Sequence, residues 1–287
     1  MSLIDLERRA DPRVELRQQD AAVIGIWGPA GSGKTNLAIN LAFELASMGH
    51  RVCLIDASTR RPAIAAWLGI TDPGPGILGL LRLARQGRLD SEQFQRLSHE
   101  ISFGNHSLTL ISGISQLSRW PEFDAEAIAG LVDWLSPQTS FVIVDLDSDL
   151  ERGLIKLEAA LERNQPTISF LERATRVLMV SGSDPVSVNH SLLAVRELDF
   201  GYELIANRLR SSVLGRDPAR QVRDTFYELL SKELLAVLPD DPEAVDQSML
   251  KSQPLLMIAK NSKLRDAIRA LAIELIKQRE GRLNNRE

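Results

Sequence analysis

Residues 28 to 35 most constrain what this chain can fold into, because they read Gly-Pro-Ala-Gly-Ser-Gly-Lys-Thr. An apolar run at 21–27 precedes them, and a stretch with helical character at 36–42 follows. A glycine-rich turn between a strand and a helix points successive backbone N–H groups inward, and the helix start adds its own N–H groups. Such a turn forms a cradle for phosphate oxygens, so the chain is predicted to bind a nucleotide.

Two side chains in this loop have specific predicted tasks. Lys34 is expected to reach the β- and γ-phosphates, and the Thr35 hydroxyl is expected to hold Mg²⁺. The alternative, a glycine-rich turn that binds nothing, fits poorly with the strand before it and the helix after it. The predicted contacts with the phosphates are Gly28, Pro29, Ala30, Gly31, Ser32, Gly33, Lys34, Thr35 and Asn36.

Composition and charge narrow the class of protein. The 287 residues are 44% hydrophobic and 25% charged, which is typical of a soluble globular protein. A net charge of −4 gives no overall reason to expect nucleic-acid binding. The single cysteine, Cys53, lies in an apolar run, so we expect it to be buried, as in a protein of the reducing cytoplasm. No apolar stretch is long enough to predict a transmembrane helix.

Short β-rich runs alternate with amphipathic segments along the chain. Helical segments include 35–48, 123–135, 186–198 and 217–230. This alternation predicts an α/β fold with a mostly parallel central sheet of about seven or eight strands and helices on both faces. We expect a single domain over 21–280, a flexible leader at 1–20 and a frayed tail at 281–287. The predicted strands are 21–27, 51–56, 107–112, 141–146, 176–181, 202–206 and 234–238.

A C-terminal segment, 262–278, carries apolar residues at helical spacing. It has two interpretations, a helix that packs on the core and an amphipathic helix that lies on a membrane. The apolar stripe contains no tryptophan or phenylalanine, and this favours the core-facing helix. Direct membrane binding is therefore not expected.

Two aspartates end apolar strands, Asp56 after 52–55 and Asp145 after 141–144. Ligands of open parallel sheets bind beyond the carboxyl ends of the strands, so both side chains are expected near the phosphate loop. Mg²⁺ prefers oxygen ligands, and the predicted metal ligands are Thr35, Asp56 and Asp145. The alternative is that each aspartate only caps a helix or a turn.

The phosphate loop and these two strand ends resemble the ParA/MinD group of P-loop ATPases over residues 20 to 277. The resemblance implies that Asn207, followed by Arg208, recognises adenine and that the loop with Pro239 and Asp241 closes over the base. It also implies ATP and Mg²⁺ as cofactors and a homodimer. From Asn207 onward the chain most resembles CpaE-like proteins, which take part in localising pilus machinery.

Two positions depart from the pattern of that group, and the stretch 146–149 lacks the proline of the group's switch. Pro29 stands where the group has a signature lysine that reaches the phosphates of the opposite subunit, and proline offers neither a charge nor an N–H. Ser58 stands where the group has an aspartate that orients the attacking water. Asp147, which follows the strand that ends at Asp145, is the candidate to replace that carboxylate. We therefore assign catalytic roles to Lys34, Asp147 and Ser58.

These observations predict an ATP-binding protein with weak or atypical ATPase activity that positions cellular machinery for pili or secretion, division or partitioning. We expect a cytoplasmic homodimer that protein partners recruit to the inner face of the membrane or to a cell pole. One alternative is a scaffold that dimerises without nucleotide. Another is a kinase-like phosphotransferase, because residues 56–62 are similar to a motif of bacterial tyrosine kinases. DNA binding is not expected.

Overall fold

A computed structural model describes residues 21–150 and 162–284. The predicted leader at 1–20 lies outside these residues. Eight strands form one sheet in the order β3-β4-β2-β5-β1-β6-β7-β8. The strands are β1 Ala22–Trp27, β2 Val52–Asp56, β3 His99–Phe103, β4 His106–Ile111, β5 Phe141–Asp145, β6 Arg176–Gly182, β7 Glu203–Leu209 and β8 Leu234–Pro239.

The sheet is parallel throughout except for the pairing of β3 with β4. Every residue of β1, β2, β5 and β6 is buried, which is why these strands are apolar runs without alternation. Cys53 lies in β2 with no exposed surface, as predicted. The α/β architecture predicted from the alternation of apolar runs is confirmed.

Strand β3 is the one strand that the sequence pattern did not predict. It forms a hairpin with β4 at the edge of the sheet, and Gly104 provides the positive φ of 56° in the turn. Its residues alternate in exposure and include His99, Glu100 and Ser102, so no apolar run marks them.

Helices cover both faces of the sheet. One apolar cluster joins the sheet to α3, α5, α6 and α9, and a second cluster joins the other face to α1 and α12. The helices are α1 Lys34–Ser47, α2 Ile64–Trp67, α3 Gly76–Arg85, α4 Ser91–Leu97, α5 Ala125–Leu135, α6 Gln165–Arg173, α7 Pro185–Ala194, α8 Ser211–Leu214, α9 Pro218–Leu230, α10 Pro242–Lys251, α11 Leu255–Ile258 and α12 Lys263–Asn284.

Helices α7, α9 and α10 begin in the same way, with an aspartate cap followed by proline. The capping carboxylates of Asp184, Asp217 and Asp241 accept backbone N–H groups of the first turn. Proline fits the first helical position because its missing N–H has no partner there in any case. These Asp-Pro pairs therefore start the helices that flank β7 and β8.

The last helix, α12, faces the core, as predicted. Leu264, Ile268, Leu271 and Leu275 on this helix are buried in the cluster that includes α1. The helix is also held by an ion pair, in which Arg265 Nε lies 2.9 Å from Glu44 Oε1 of α1. It continues to Asn284, beyond the predicted end at residue 278.

We expect Arg265→Met to lower the free energy of unfolding by about 3 kcal/mol, because it leaves the Glu44 carboxylate buried without its partner. Arg269→Met, an exposed position on the same helix, should change stability by less than about 0.5 kcal/mol. Urea unfolding followed by circular dichroism measures both values. Equal stabilities of the two variants would show that the ion pair contributes nothing.

Candidate functional site

The phosphate loop joins β1 to α1 and depends on glycines at two close approaches. Gly28 has φ 152°, and a Cβ on it would lie 2.2 Å from the carbonyl oxygen of Val180. Gly33 has φ 92°, and a Cβ on it would lie 2.4 Å from Nδ2 of Asn207. Strands β6 and β7 thus support the loop from behind. A larger residue at Gly28 would clash with the β6 backbone, and one at Gly33 would displace the Asn207 side chain.

The loop contains buried polar atoms that have no hydrogen-bond partner. Ser32 Oγ and Asn36 Nδ2 are two of these, and Asp145 Oδ1 beside the loop is a third. Such atoms cost free energy unless a bound group or water satisfies them. Their position around a glycine-rich turn fits a ligand that carries both charge and hydrogen-bonding groups.

The Lys34 side chain is tied to the segment that follows β5. Its Nζ donates to Ser148 Oγ at 2.9 Å and to the Pro29 carbonyl oxygen at 3.4 Å. The Ser148 carbonyl oxygen in turn accepts the indole N–H of the buried Trp27 at 3.1 Å. Burial lowers the pKa of Lys34, while Asp145 and neighbouring carboxylates oppose this shift.

Thr35 and Asp145 form the contact expected of a magnesium site. The Thr35 hydroxyl donates to Asp145 Oδ2 at 2.6 Å, while Asp145 Oδ1 is buried without a partner. Burial, followed by repulsion from Asp56, raises the pKa of Asp145 to about 7. A divalent cation would give the unpartnered oxygen a ligand bond and would offset the repulsion between the two carboxylates, since Mg²⁺ prefers hydroxyl and carboxylate oxygens. These residues therefore fit the ion.

Asp56 lies beside Asp145 in the sheet register but is used differently. Its Oδ1 accepts the N–H of Ser58 at 3.2 Å, and its Oδ2 accepts those of Ala63 at 2.8 Å and Ile64 at 3.0 Å. Burial raises its pKa to about 6 against the effect of these N–H groups. Asp56 thus caps α2, the alternative considered from the sequence, and its role as a metal ligand stays a prediction.

Asp147 and Ser58 are brought into direct contact. The Ser58 hydroxyl donates to Asp147 Oδ1 at 2.5 Å, and the N–H and hydroxyl of Thr59 both donate to Oδ2 at 2.8 Å. Only 6% of Asp147 is exposed. The carboxylate after β5 therefore lies against Ser58, which follows β2.

Two arginines hold the same segment after β2. The guanidinium of Arg60 lies 3.7 Å from Asp147 and 3.5 Å from Asp149. Arg163 donates to the carbonyl oxygen of Thr59 and, at 3.4 Å, to its hydroxyl. Two guanidinium groups thus lie against the segment that follows β2.

Asn207 contacts the phosphate loop from β7. Its Nδ2 donates to the Ser32 carbonyl oxygen at 2.8 Å, and its Oδ1 accepts the N–H of Arg208 at 2.9 Å. Arg208 has φ 56°, a left-handed conformation that is uncommon for residues other than glycine. Both polar atoms of the Asn207 side chain thus have protein partners, and its contact with adenine stays a prediction.

The predicted base loop follows β8. Pro239 ends that strand beside Leu209, and the Asp241 carboxylate caps α10 through the N–H of Ala244 at 3.2 Å. Asp241 also accepts the Ser262 hydroxyl at 2.6 Å. The structure therefore gives Asp241 a helix-capping role, while its part in closing over a base stays untested.

Three residues of the site were missed from the sequence. Ser148 adjoins the predicted Asp147, so its place after a strand was an available signal. Thr59 follows Ser58 in the same way. Arg163 lies 104 positions from Thr59, and no motif marks it.

A nucleotide-binding family matches most of this chain. The family described as the CobQ/CobB/MinD/ParA nucleotide binding domain matches residues 26–255. The chain belongs to this family. The match includes the phosphate loop, both strand-end aspartates and Asn207.

Curated relatives in the ParA/MinD family are similar along most of their length. The antiactivator FleN of Pseudomonas aeruginosa is 26% identical over 88% of this chain and 85% of its own. The septum site-determining protein MinD of Bacillus subtilis is 25% identical over 84% of this chain and 83% of its own.

Solved structures of the ParA/MinD family share the fold. A ParA family ATPase from Chlorobium tepidum has a TM-score of 0.75 and 19% identity, and covers 90% of this chain and 99% of its own. MinD from Pyrococcus horikoshii, solved with Mg-ADP, has a TM-score of 0.67 and 19% identity, and covers 89% and 95%. In the part of this chain that the structure describes, no helix has the length and apolar character to cross a membrane.

We expect Asp145→Asn to stabilise the protein when metal and nucleotide are absent. The folded chain binds the Asp145 proton more tightly than the unfolded chain, where the carboxyl has its ordinary pKa of 3.8, so wild-type stability falls as pH rises from there to about 7. The asparagine removes this loss and can still accept the Thr35 hydroxyl. Its gain should be about 1–3 kcal/mol at a pH of about 8 and near zero at a pH of about 4.

Urea unfolding in EDTA measures this difference. Asp246→Asn, at an exposed position, is the matched control and should be neutral at both pH values. A variant at position 145 that is less stable than wild type at the higher pH would contradict the account of the buried charge.

Proposed function

We propose that this chain is a nucleotide-dependent switch that binds Mg-ATP, hydrolyses it slowly and positions or regulates a larger cellular assembly. The observation that carries this proposal is the Thr35–Asp145 pair beside Lys34, with one buried carboxylate oxygen left without a partner. A phosphate-binding loop alone fits many ligands. A hydroxyl, a carboxylate and an ammonium group together favour a nucleotide phosphate with its magnesium ion.

The binding step uses groups that lie ready in the loop. Backbone N–H groups of residues 30–35, which include the start of α1, would receive the phosphates, and Lys34 would exchange Ser148 for a phosphate oxygen. Thr35 and Asp145, with Asp56 beside them, would hold Mg²⁺, which would neutralise part of the phosphate charge. Ser148 would then lose its side-chain hydrogen bond to Lys34 and keep the bond from Trp27 to its carbonyl oxygen. The segment after β5 would therefore be held by one of these two contacts instead of both.

Slow hydrolysis is expected from the hydrogen bonds that the Asp147 carboxylate accepts. Asp147 accepts the hydroxyl of Ser58, whereas Asp56 accepts only its backbone N–H, and this supports a role for Asp147 in orienting water. Three hydrogen bonds already stabilise its charge, which makes it a weaker base for the attacking water. Pro29 adds no charge for the transition state, unlike the lysine found in the resembling group.

The cellular role is proposed from the family. Its members include septum site-determining proteins and an antiactivator, and their names describe placement and regulation. We infer a homodimer that protein partners recruit to pilus or secretion, division or partitioning machinery. The CpaE-like character from Asn207 onward favours the pilus. We infer that these partners recruit the protein from the cytoplasm to the inner face of the membrane or to a cell pole.

Lys34→Ala tests nucleotide binding. We expect wild type to bind Mg-ATP with micromolar affinity and the variant to bind at least about tenfold more weakly, because a charge-assisted contact is lost. Calorimetry measures affinity, and phosphate release measures turnover, which should lie far below the usual enzyme median of about 10 per second.

Lys232→Ala, outside the site, is the control for Lys34→Ala and should bind ATP as wild type does. Sedimentation with and without ATP separates the competing functions, because a nucleotide-independent scaffold stays dimeric in both. Unchanged ATP binding by Lys34→Ala would overturn the proposal. Transfer of phosphate to a partner would favour the kinase-like alternative.

Asp147→Asn tests the assignment of the water-orienting carboxylate. We expect single-turnover hydrolysis to slow at least about 100-fold with ATP affinity nearly unchanged. Ser58→Ala keeps the carboxylate and should slow the reaction far less. Hydrolysis that survives both changes at the wild-type rate would show that another group acts on water.

A further inference from the structure

Strand β8 forms one edge of the sheet and pairs on one side only, with β7. Along Leu234–Val237, no backbone hydrogen bond to a further strand occurs in the described residues. Proteins usually protect such an edge with charged residues, proline or a covering segment. Here residues 234–238 read Leu-Leu-Ala-Val-Leu, without a charged residue or a proline, and Pro239 follows at the end of the strand.

An open groove of about 850 Å³ lies along this edge, between β8 and α12. Its α12 wall includes Ala267, Ala270 and Leu271, and its β8 wall includes Leu235 and Val237. The two alanines leave space that a larger side chain would fill. The β8 side chains are only partly buried, so the groove combines an apolar lining with unpaired backbone groups.

We propose that this groove binds an extended segment of a partner protein, which adds to β8 as a ninth strand. Backbone groups of the segment would pair with the free edge of β8, and alternate apolar side chains would enter the space beside Ala267 and Ala270. The groove does not involve the phosphate loop, so this proposal stands apart from nucleotide binding.

Charges around the groove indicate the chemistry of the segment. Glu233 is exposed and Glu274 of α12 lines the groove. Glu203 also lines the groove and pairs with Arg176, while Lys232 lies 4.6 Å from the ring centroid of Tyr202 and keeps its positive charge. Because Arg176 offsets Glu203, the two carboxylates of Glu233 and Glu274 face the single charge of Lys232. The net charge is negative, and it fits an apolar strand with lysine or arginine at its ends.

The probe is a short fluorescein-labelled peptide of alternating valine and threonine with lysines at both ends, titrated into the full-length protein. We expect saturable binding by fluorescence anisotropy. A copy with N-methylated backbone amides should bind at least about tenfold more weakly, because it cannot complete the ladder with β8. Exchange of the terminal lysines for glutamates should weaken binding severalfold.

Two sets of variants locate the peptide. Ala270→Trp fills the groove and should abolish binding, whereas Ala125→Trp, the same change at an exposed helical alanine of α5, should leave it unchanged. Glu233→Lys with Glu274→Lys should reverse the preference, so that the glutamate-ended peptide binds better. This charge reversal keeps the test independent of any disturbance from the tryptophan.

Three outcomes would overturn the proposal. They are absence of peptide binding to wild type, equal binding of the N-methylated peptide, and a nucleotide-free dimer of wild type that Ala270→Trp converts to monomer. The last result would identify a second copy of this chain as the occupant. None of these outcomes bears on ATP binding by Lys34, so the two proposals fail separately.

Discussion

Two buried carboxylates stand side by side at the carboxyl edge of the sheet, and the surrounding loops are arranged around them. The parallel register of β2 and β5 makes Asp56 and Asp145 direct neighbours. Asp56 is 0% and Asp145 3% exposed, so water does little to stabilise either charge and each needs local donors. Asp56 accepts three backbone N–H groups from the turn that leads into α2, whereas among the described residues the Asp145 carboxylate accepts only the Thr35 hydroxyl. Asp145 therefore has one buried oxygen without a hydrogen-bond donor, and a cation fits at that oxygen.

The parts of the fold that could be predicted are those in which burial dictates residue type. Strands β1, β2 and β5 are covered on both faces, so their apolar runs mark them clearly. The apolar stripe of helix α12 contains no tryptophan or phenylalanine, which predicts a core-facing helix, and its buried residues confirm this. The edge strand β3 is half exposed and polar, and its pairing with β4 depends on a turn rather than on a pattern.

Within the site, sequence reasoning predicted positions better than contacts. Strand ends could be assigned to one edge of the sheet, so Asp145 was expected near Thr35 before any distance was known. The contact between Ser58 and Asp147 joins residues 89 positions apart, and only the order of β2 and β5 in the sheet brings them together. The helix-capping role of Asp241 and the loop contact of Asn207 depend on side-chain rotamers, which a sequence does not specify.

The single thiol of the chain lies at the centre of this arrangement. Cys53 is wholly enclosed in β2 between β4 and β5, three residues before Asp56, and burial raises the pKa of its thiol. An alkylating reagent can reach it only when the sheet opens, so the rate of its modification reports the opening equilibrium of the domain itself. A ligand L that binds only the folded chain slows that reaction by the factor 1 + [L]/Kd. Alkylation of Cys53 can therefore measure ligand binding without an added label.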